Sequence, residues 1–114
     1  MKVKVSVLLP VFNAESTLPE CLDSLLAQDF NDFEIVAVDD GSTDGSSDIL
    51  FDYGKKDPRI RIITVEHAGI VAGLQTAFAN ADADYLARMD ADDICTPDRL
   101  RRQVLSPDRQ LAAF

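Results

Sequence analysis

Asp90-Ala91-Asp92-Asp93 places three carboxylates in four residues, directly after the largely apolar run Tyr85-Leu86-Ala87-Arg88-Met89 and before Thr96-Pro97-Asp98-Arg99-Leu100. Two ionised carboxylates about 5–6 Å apart repel by roughly 3 kcal/mol at an effective dielectric near 20. A folded chain keeps such a cluster when the carboxylates splay into water or share a cation. Hard oxygen ligands at the end of a strand suit Mg²⁺ or Mn²⁺, which in turn hold phosphate oxygens. For an isolated D-x-D-D the alternative is a solvated acidic turn. A second acidic end weakens that alternative: Asp39-Asp40 follows the apolar run Glu34-Ile35-Val36-Ala37-Val38. Two strands that each terminate in paired aspartates point to one shared site.

The elements that must position these groups alternate between strand and helix, without repeats or low-complexity linkers. Val3–Leu9 reads as a buried strand closed by Pro10, and Thr17 followed by Glu20 fits a capping box. Leu18, Cys21, Leu22, Leu25 and Leu26 keep helical spacing to about Gln28. Glu34–Val38 is the second strand, and after the loop Gly41-Ser42-Thr43-Asp44-Gly45 a short helix runs to about Tyr53. Lys55-Lys56-Asp57-Pro58 is a turn, Ile60–Val65 the third strand, and Gly69 to Ala81 an Ala-rich helix weakened by Gly73. Tyr85–Met89 is the fourth strand; a last helix spans Pro97–Leu105, starting at Thr96 with Pro at its first position. This order predicts an α/β fold, a mostly parallel sheet with helices on both faces. Ligands on such sheets sit at the carboxyl ends of the strands, where the strand order reverses. Asp39-Asp40, Asp90–Asp93 and Pro10-Val11-Phe12-Asn13 all fall at carboxyl ends.

Composition bounds the partners. A chain of 114 residues is one domain with a modest core. A formal net charge of −9 argues against nucleic acid or an anionic membrane as direct partner. Much of that charge sits in the two aspartate clusters, so a divalent cation would offset part of it. No apolar run approaches the ~20 residues of a membrane span, and the start, Met1-Lys2-Val3-Lys4-Val5, reads as a first strand rather than a signal peptide. Cys21 and Cys95 lack metal-type spacing and read as reduced thiols of a cytoplasmic protein, Cys21 within a helix core. His67 is the only histidine, and a lone one is more often structural than catalytic.

Strand one ending in Pro10-Val11-Phe12-Asn13-Ala14-Glu15, strand two ending in Val38-Asp39-Asp40-Gly41-Ser42-Thr43-Asp44, and Met89-Asp90-Ala91-Asp92-Asp93 resemble, in order and spacing, the inverting family-2 glycosyltransferases of the GT-A (Rossmann-like) fold. Pro97-Asp98-Arg99-Leu100 with Gln103 is similar to the helix that follows the D-x-D in that family. Any one motif is weak; four in order across nearly the whole chain are strong. The resemblance implies that residues 1–114 are the N-terminal, nucleotide-sugar-binding part of such a domain in truncated form, and that the donor is a nucleoside-diphosphate sugar, with uridine the commonest nucleoside. Pro10, Phe12, Asn13, Asp39, Asp40, Gly41, Gly69 and Asp90 are then the nucleotide-binding set. Phe12 offers a stacking face to the base, Asp40 accepts a hydrogen bond from it, Asp39 supports the loop or the ribose, and Gly41 leaves room for close backbone approach. Asp92 coordinates Mn²⁺ or Mg²⁺ at the diphosphate, Asp90 acts at the ribose or on the metal, and Asp93 either orients its neighbours or is solvated.

Two departures from the family pattern stand out. The segment after the third strand often carries an Arg or Asn pair; here it reads His67-Ala68-Gly69-Ile70-Val71-Ala72-Gly73-Leu74-Gln75. Backbone amides at that helix start suit a phosphate, whereas Arg88, lying in the strand before the D-x-D, suits an intramolecular ion pair. The second departure is length. Inverting transfer needs a general base to deprotonate an acceptor hydroxyl, and the family supplies it, with the acceptor site, from beyond the D-x-D half. The chain stops at Leu111-Ala112-Ala113-Phe114, inside what would be the next strand. The base is therefore expected beyond Phe114, the acceptor (a saccharide, lipid or protein hydroxyl) is unassigned, and the chain alone is expected not to complete transfer. Its last full strand, Tyr85–Met89, is expected to be an open edge that invites self-association, either there or through packing of the last helix and the apolar tail from Leu105 to Phe114. In the full-length protein the cytoplasmic face of a membrane is a compatible location.

A non-catalytic nucleotide-binding module shares every one of these motifs. A phospho-receiver domain needs an acidic pair after the first strand, which Pro10-Val11-Phe12-Asn13 does not supply, and a nucleotidyltransferase usually carries a Gly-rich basic loop there, which is not visible.

Overall fold

Alternating apolar strands and amphipathic helices leave each strand with two faces to cover, and the chain solves this with one layer of helix on either side of a parallel sheet. The computed structural model describes residues 3–104 and 111–113. Strands β1 (Val5–Val11), β2 (Phe33–Asp40), β3 (Ile60–Val65), β4 (Tyr85–Arg88) and β5 (Leu111–Ala113) interleave with helices α1 (Leu18–Leu26), α2 (Ser46–Lys56), α3 (Ile70–Ala79) and α4 (Arg99–Val104). The sheet order is β3-β2-β1-β4-β5 and every pairing is parallel.

The two-residue period of a strand sorts the core. Val5, Val7, Leu9 and Val11 of β1 pack with Leu18, Leu22, Leu50 and Leu100, on the face covered by α1, α2 and α4. Leu8, Val36 and Val38 pack on the opposite face with Ala77 of α3. Successive strands β1, β2 and β3 step in one direction, and the chain then returns past β1 to lay down β4. Right-handed crossovers put a returning connection on the other face, which is where α3 lies. The reversal between β1 and β4 opens a crevice at their carboxyl ends.

Several boundaries differ from the sequence reading. Pro10 lies inside β1 rather than closing it. The Leu8 carbonyl accepts from the Met89 amide, so the same-parity Pro10 turns its missing N–H towards β4, past the last β1–β4 register pair Leu8↔Arg88. No ladder bond is lost there. Thr17 stands at the N-cap of α1, but makes no side-chain cap; its hydroxyl donates to the carbonyls of Ala91 at 3.0 Å and Ala14 at 3.3 Å. The expected capping box is thus replaced by a tether to the D-x-D-D loop. Helix α1 ends at Leu26, short of Gln28, and α2 runs on past Tyr53 to Lys56. Helix α4 begins at Arg99 instead of Pro97, and the preceding carbonyls serve the segment that follows α1: Gln28 Nε2 donates to Thr96 O at 2.7 Å and the Asp29 amide to Pro97 O at 2.8 Å. Gln28 Oε1 in turn accepts the Leu100 amide at 3.0 Å.

Strand β4 is not an edge. β5 pairs with it from Leu86 to Arg88, so the expected open edge is corrected and self-association has no free β4 to use. The tail residues 105–110 and Phe114 lie outside the described residues.

At the amino end of the strands, Glu34 is buried at 4% exposure yet charged. Ser6 Oγ donates to it at 2.5 Å, Arg61 Nη1 at 2.6 Å and the Asp82 amide at 2.8 Å. Burial pushes its carboxyl up, but these donors outweigh burial and hold it below the usual range. Glu34→Gln is expected to cost about 2 kcal/mol, the size of a lost charge-assisted bond. Because the folded value is depressed, this contribution is complete above the ordinary Glu value near 4.3 and fades as pH falls through the lower folded value. Urea unfolding at pH 7 and pH 3 should therefore show a smaller pH dependence in Glu34→Gln than in the parent; an unchanged dependence would remove Glu34 from the network.

Candidate functional site

A cleft of about 530 Å³ opens where β1 and β4 diverge. The β1 end contributes Pro10, Phe12, Asn13 and Ala14, α1 begins at its floor with Thr17, the β3–α3 connection brings His67, Gly69 and Ile70, and the β4 end brings Asp90, Ala91 and Asp92. Asp40 reaches it from β2. The strand-end motifs distant in sequence thus converge on one site.

The β1 and β2 ends are stitched together before any ligand arrives. Asn13 adopts a left-handed backbone at φ 47°, which Asn tolerates better than most residues. Its Oδ1 accepts the Thr43 amide at 2.8 Å, and its own amide donates to Ser42 Oγ at 3.0 Å. Ala14 donates to Ser46 Oγ at 2.8 Å, and Asp44 accepts from Glu15 and Ser46. The 41–45 loop therefore braces the β1–α1 turn.

The two aspartates of β2 point to opposite faces, as the pleat requires. Asp39 is turned towards α2, accepting the Ser42 amide at 3.1 Å and the Ser47 hydroxyl. It is buried and does not line the cleft, so it supports the loop. Asp40 is turned towards α3 and is 3% exposed. It accepts the Ala68 amide at 2.8 Å, the Gly69 amide at 3.0 Å and His67 Nδ1 at 2.8 Å. Burial raises its carboxyl, but the two amides and the imidazole more than offset this and hold it below the usual Asp range. Its carboxylate thus faces the chain's own 67–69 segment.

Gly41 makes room for that segment. Its φ is +71°, and a Cβ there would meet the His67 amide nitrogen at 2.8 Å. Gly41→Ala is expected to lose about 2 kcal/mol or more from backbone strain and the forced shift of His67. Thermal unfolding checks this, and an unshifted melting temperature would contradict the close approach.

His67 is the residue the sequence reading set aside. Its ring stacks on Phe12 with centroids 4.1 Å apart and planes 22° from parallel. The two side chains, 55% and 45% exposed as side chain and residue respectively, give the cleft an aromatic wall. The signal available in sequence was its place two residues before Gly69 and the start of α3; nothing in the sequence told that Phe12 would meet it.

On the opposite wall, Asp90, Asp92 and Asp93 can each offer one oxygen such that all lie within 4.8 Å of one another. Asp90 pairs with Arg88 at 3.2 Å, the intramolecular ion pair expected for Arg88. Asp93 Oδ2 accepts the Asp90 amide at 3.2 Å and the Asp93 amide returns to Asp90 O at 3.0 Å, so Asp93 orders the loop rather than lining the cleft. Asp92 is exposed towards it. A hard divalent cation fits this donor set: carboxylate oxygens only, closely spaced, with one cation-paired member, Asp90, and one, Asp92, that has no partner among the described residues. Behind the loop, burial pushes the Cys21 thiol up to about 12, with Cys95 and the three carboxylates adding to the effect; Cys21 is an inert core residue.

The sequence profile of glycosyl transferase family 2 matches residues 6–110. Among curated proteins, the chain is 41% identical over 90 residues to the glycosyltransferase GlyA of Streptococcus pneumoniae, covering 79% of this chain and 13% of that protein. It is 40% identical to a poly(ribitol-phosphate) beta-glucosyltransferase of Bacillus spizizenii, covering 88% and 16%. Among solved structures, Staphylococcus aureus TarS in complex with UDP-GlcNAc superposes with a TM-score of 0.84 at 31% identity, covering 90% of this chain and 30% of that one. The mannosyltransferase PcManGT of Pyrobaculum calidifontis, in complex with GDP-Man and Mn²⁺, superposes with a TM-score of 0.82 at 26% identity, covering 93% and 33%. The chain thus spans less than half the length of these relatives. No helix among the described residues is long and apolar enough to cross a membrane.

Proposed function

Because the chain belongs to glycosyl transferase family 2, we propose that residues 1–114 bind a nucleoside-diphosphate sugar in the cleft between β1 and β4, as the donor-binding part of an inverting glycosyltransferase. One observation carries this: a single cleft joins an aromatic wall, Phe12 and His67, to a carboxylate wall, Asp90 and Asp92. A flat apolar face suits a nucleobase. Paired carboxylates suit the cation that accompanies a diphosphate.

In this reading the base lies against Phe12 and His67, with Asp40 holding that wall in place. Pro10 and Asn13 shape the floor beneath the ribose, and Asp39 and Gly41 keep the β2 loop in register behind it. The first amides of α3, which begins after Gly69, lie on the side of the cleft where a phosphate would be favoured, the Gly69 amide itself being taken by Asp40. Asp92, with the oxygen of Asp90 not engaged by Arg88, would hold Mn²⁺ or Mg²⁺. When bound, the cation supplies positive charge against the diphosphate that leaves as the glycosidic bond breaks. Asp93 keeps the two ligands oriented through the Asp90 amide. The role proposed for these residues is donor binding; transfer needs in addition a general base at an acceptor hydroxyl, a role none of the residues above is assigned. The free, buried thiols Cys21 and Cys95 favour a reducing, cytoplasmic setting.

UDP-GlcNAc in TarS and GDP-Man with Mn²⁺ in PcManGT support a nucleotide-sugar donor and a divalent cation for this chain also; of the nucleosides, we assign uridine. Calorimetry with UDP, GDP and dTDP, each with and without Mn²⁺, tests the assignment. The expected result is tightest binding of UDP and a Mn²⁺-dependent increment. Binding of none of the three would overturn it.

A further inference from the structure

One row of side chains along α1 is given over to the backbone of the loop that carries the carboxylates. Thr17, Cys21, Ser24 and Gln28 follow one another at helical spacing, and each bonds to the segment 90–100. Gln28 donates to the Thr96 carbonyl at 2.7 Å and accepts the Leu100 amide at 3.0 Å, and Ser24 Oγ accepts the Cys95 amide at 3.1 Å. That end of the row anchors the approach to α4. The other end reaches the carboxylate motif itself. Cys21 Sγ donates to Asp90 O at 3.6 Å, its thiol kept protonated because burial pushes it up to about 12. Thr17 Oγ1 donates to Ala91 O at 3.0 Å. Its other acceptor in reach, Ala14 O at 3.3 Å, already takes the amides of Thr17 and Leu18 at 3.1 and 2.9 Å. Thr17 stands at the N-cap of α1 and does not cap it, so its hydroxyl serves the loop rather than the helix. Only two peptide groups separate Asp90 from Asp92. Cys21 holds the first by its carbonyl and Thr17 holds the second.

We propose that Thr17 is a positioning residue for the cation: by holding the Ala91–Asp92 peptide, its hydroxyl sets the separation and direction of the Asp90 and Asp92 carboxylates before the ion arrives. The inference rests on the donor-binding reading above and adds to it a residue from outside the carboxylate motif, 74 positions away from the group it holds. Ionised carboxylates this close repel one another, and an untethered loop would relieve that repulsion by splaying. Binding the cation would then have to reorder the loop, and ordering costs affinity. With the tether in place the loop is already ordered. Thr17 thus acts through the peptide it fixes.

The test is calorimetry of UDP with and without Mn²⁺, and of uridine monophosphate without it, on the full chain, on Thr17→Val and on Thr17→Ser. Valine keeps the branched shape and loses the hydroxyl; serine keeps the hydroxyl. Thr17→Val is expected to weaken UDP binding in Mn²⁺ by about tenfold or more, the usual effect of removing a group that orients metal ligands. Its affinity for uridine monophosphate without Mn²⁺ is expected to equal the parent's, which a general loss of structure would not allow. Thr17→Ser is expected to match the parent in both. A Mn²⁺ increment in Thr17→Val equal to the parent's overturns the inference and leaves the donor-binding reading standing. An equal loss of uridine monophosphate and of UDP with Mn²⁺ in Thr17→Val does the same. So does loss of the increment in Thr17→Ser, a result that decides the matter even where Thr17→Val fails to fold. Absence of any Mn²⁺ increment in the parent removes the cation from the donor-binding reading, and the inference with it.

Discussion

Replacing Asp92 by alanine is expected to abolish the Mn²⁺-dependent part of UDP binding while leaving the fold intact. Asp92 is the exposed member of a carboxylate trio that can bring three oxygens within 4.8 Å. It sits in the loop after β4, not in the core. Asp90 shares its charge with Arg88 and Asp93 is committed to the Asp90 amide, so neither can replace it. Without a cation, each pair of ionised carboxylates at such spacing repels by roughly 3 kcal/mol at an effective dielectric near 20. Removing one should leave the metal-free melting temperature unchanged or slightly higher. The same titration with Mn²⁺ in the parent should raise the melting temperature, and in Asp92→Ala it should not. If Asp92→Ala bound UDP and Mn²⁺ as tightly as the parent, the cluster would be a solvated turn.

The second large effect is expected at Asp40. Asp40→Asn keeps the shape but sets an NH₂ group against donors that now point at carboxylate oxygens: the amides of Ala68 and Gly69 and His67 Nδ1. One donor is left facing another in a buried position. The loss should be about 2–3 kcal/mol in uridine monophosphate binding, from a disordered 67–69 wall, with a parallel fall in stability. The parent's own pH dependence carries the same signature. The folded Asp40 carboxyl is depressed by its donors, so its contribution is complete above the ordinary Asp value near 3.9 and is lost as pH falls through the lower folded value. Asp40→Asn should lack that acid-side loss in thermal unfolding. Unchanged uridine monophosphate affinity in this variant would separate Asp40 from the cleft.

Much of this molecule is a consequence of local pattern. Ile60–Val65 is a strand because its β-branched residues leave few alternatives, and Val5–Val11 and Phe33–Asp40 are buried along their length because both sheet faces are covered. The carboxylates fall at carboxyl ends because the apolar runs stop there, and a strand–helix alternation makes those ends adjacent. Fold class and the convergence of the strand-end residues on one cleft were therefore legible in the residues alone.

Tertiary structure decided what depends on partners far away in the chain. Pro10 stays within β1 because β4 happens to stop pairing at Leu8↔Arg88. The Thr17 hydroxyl leaves its cap for the Ala91 carbonyl, 74 residues distant. Asp39 and Asp40 are one residue apart and take different work, since the pleat sends one to α2 and the other to α3. His67 becomes part of the site only because Asp40 and Phe12 hold its ring from two other strands' ends. Propensity and periodicity describe a residue's neighbours along the chain; hydrogen bonds and ring contacts between strand ends are set by sheet order, which is established only when all the strands are assembled.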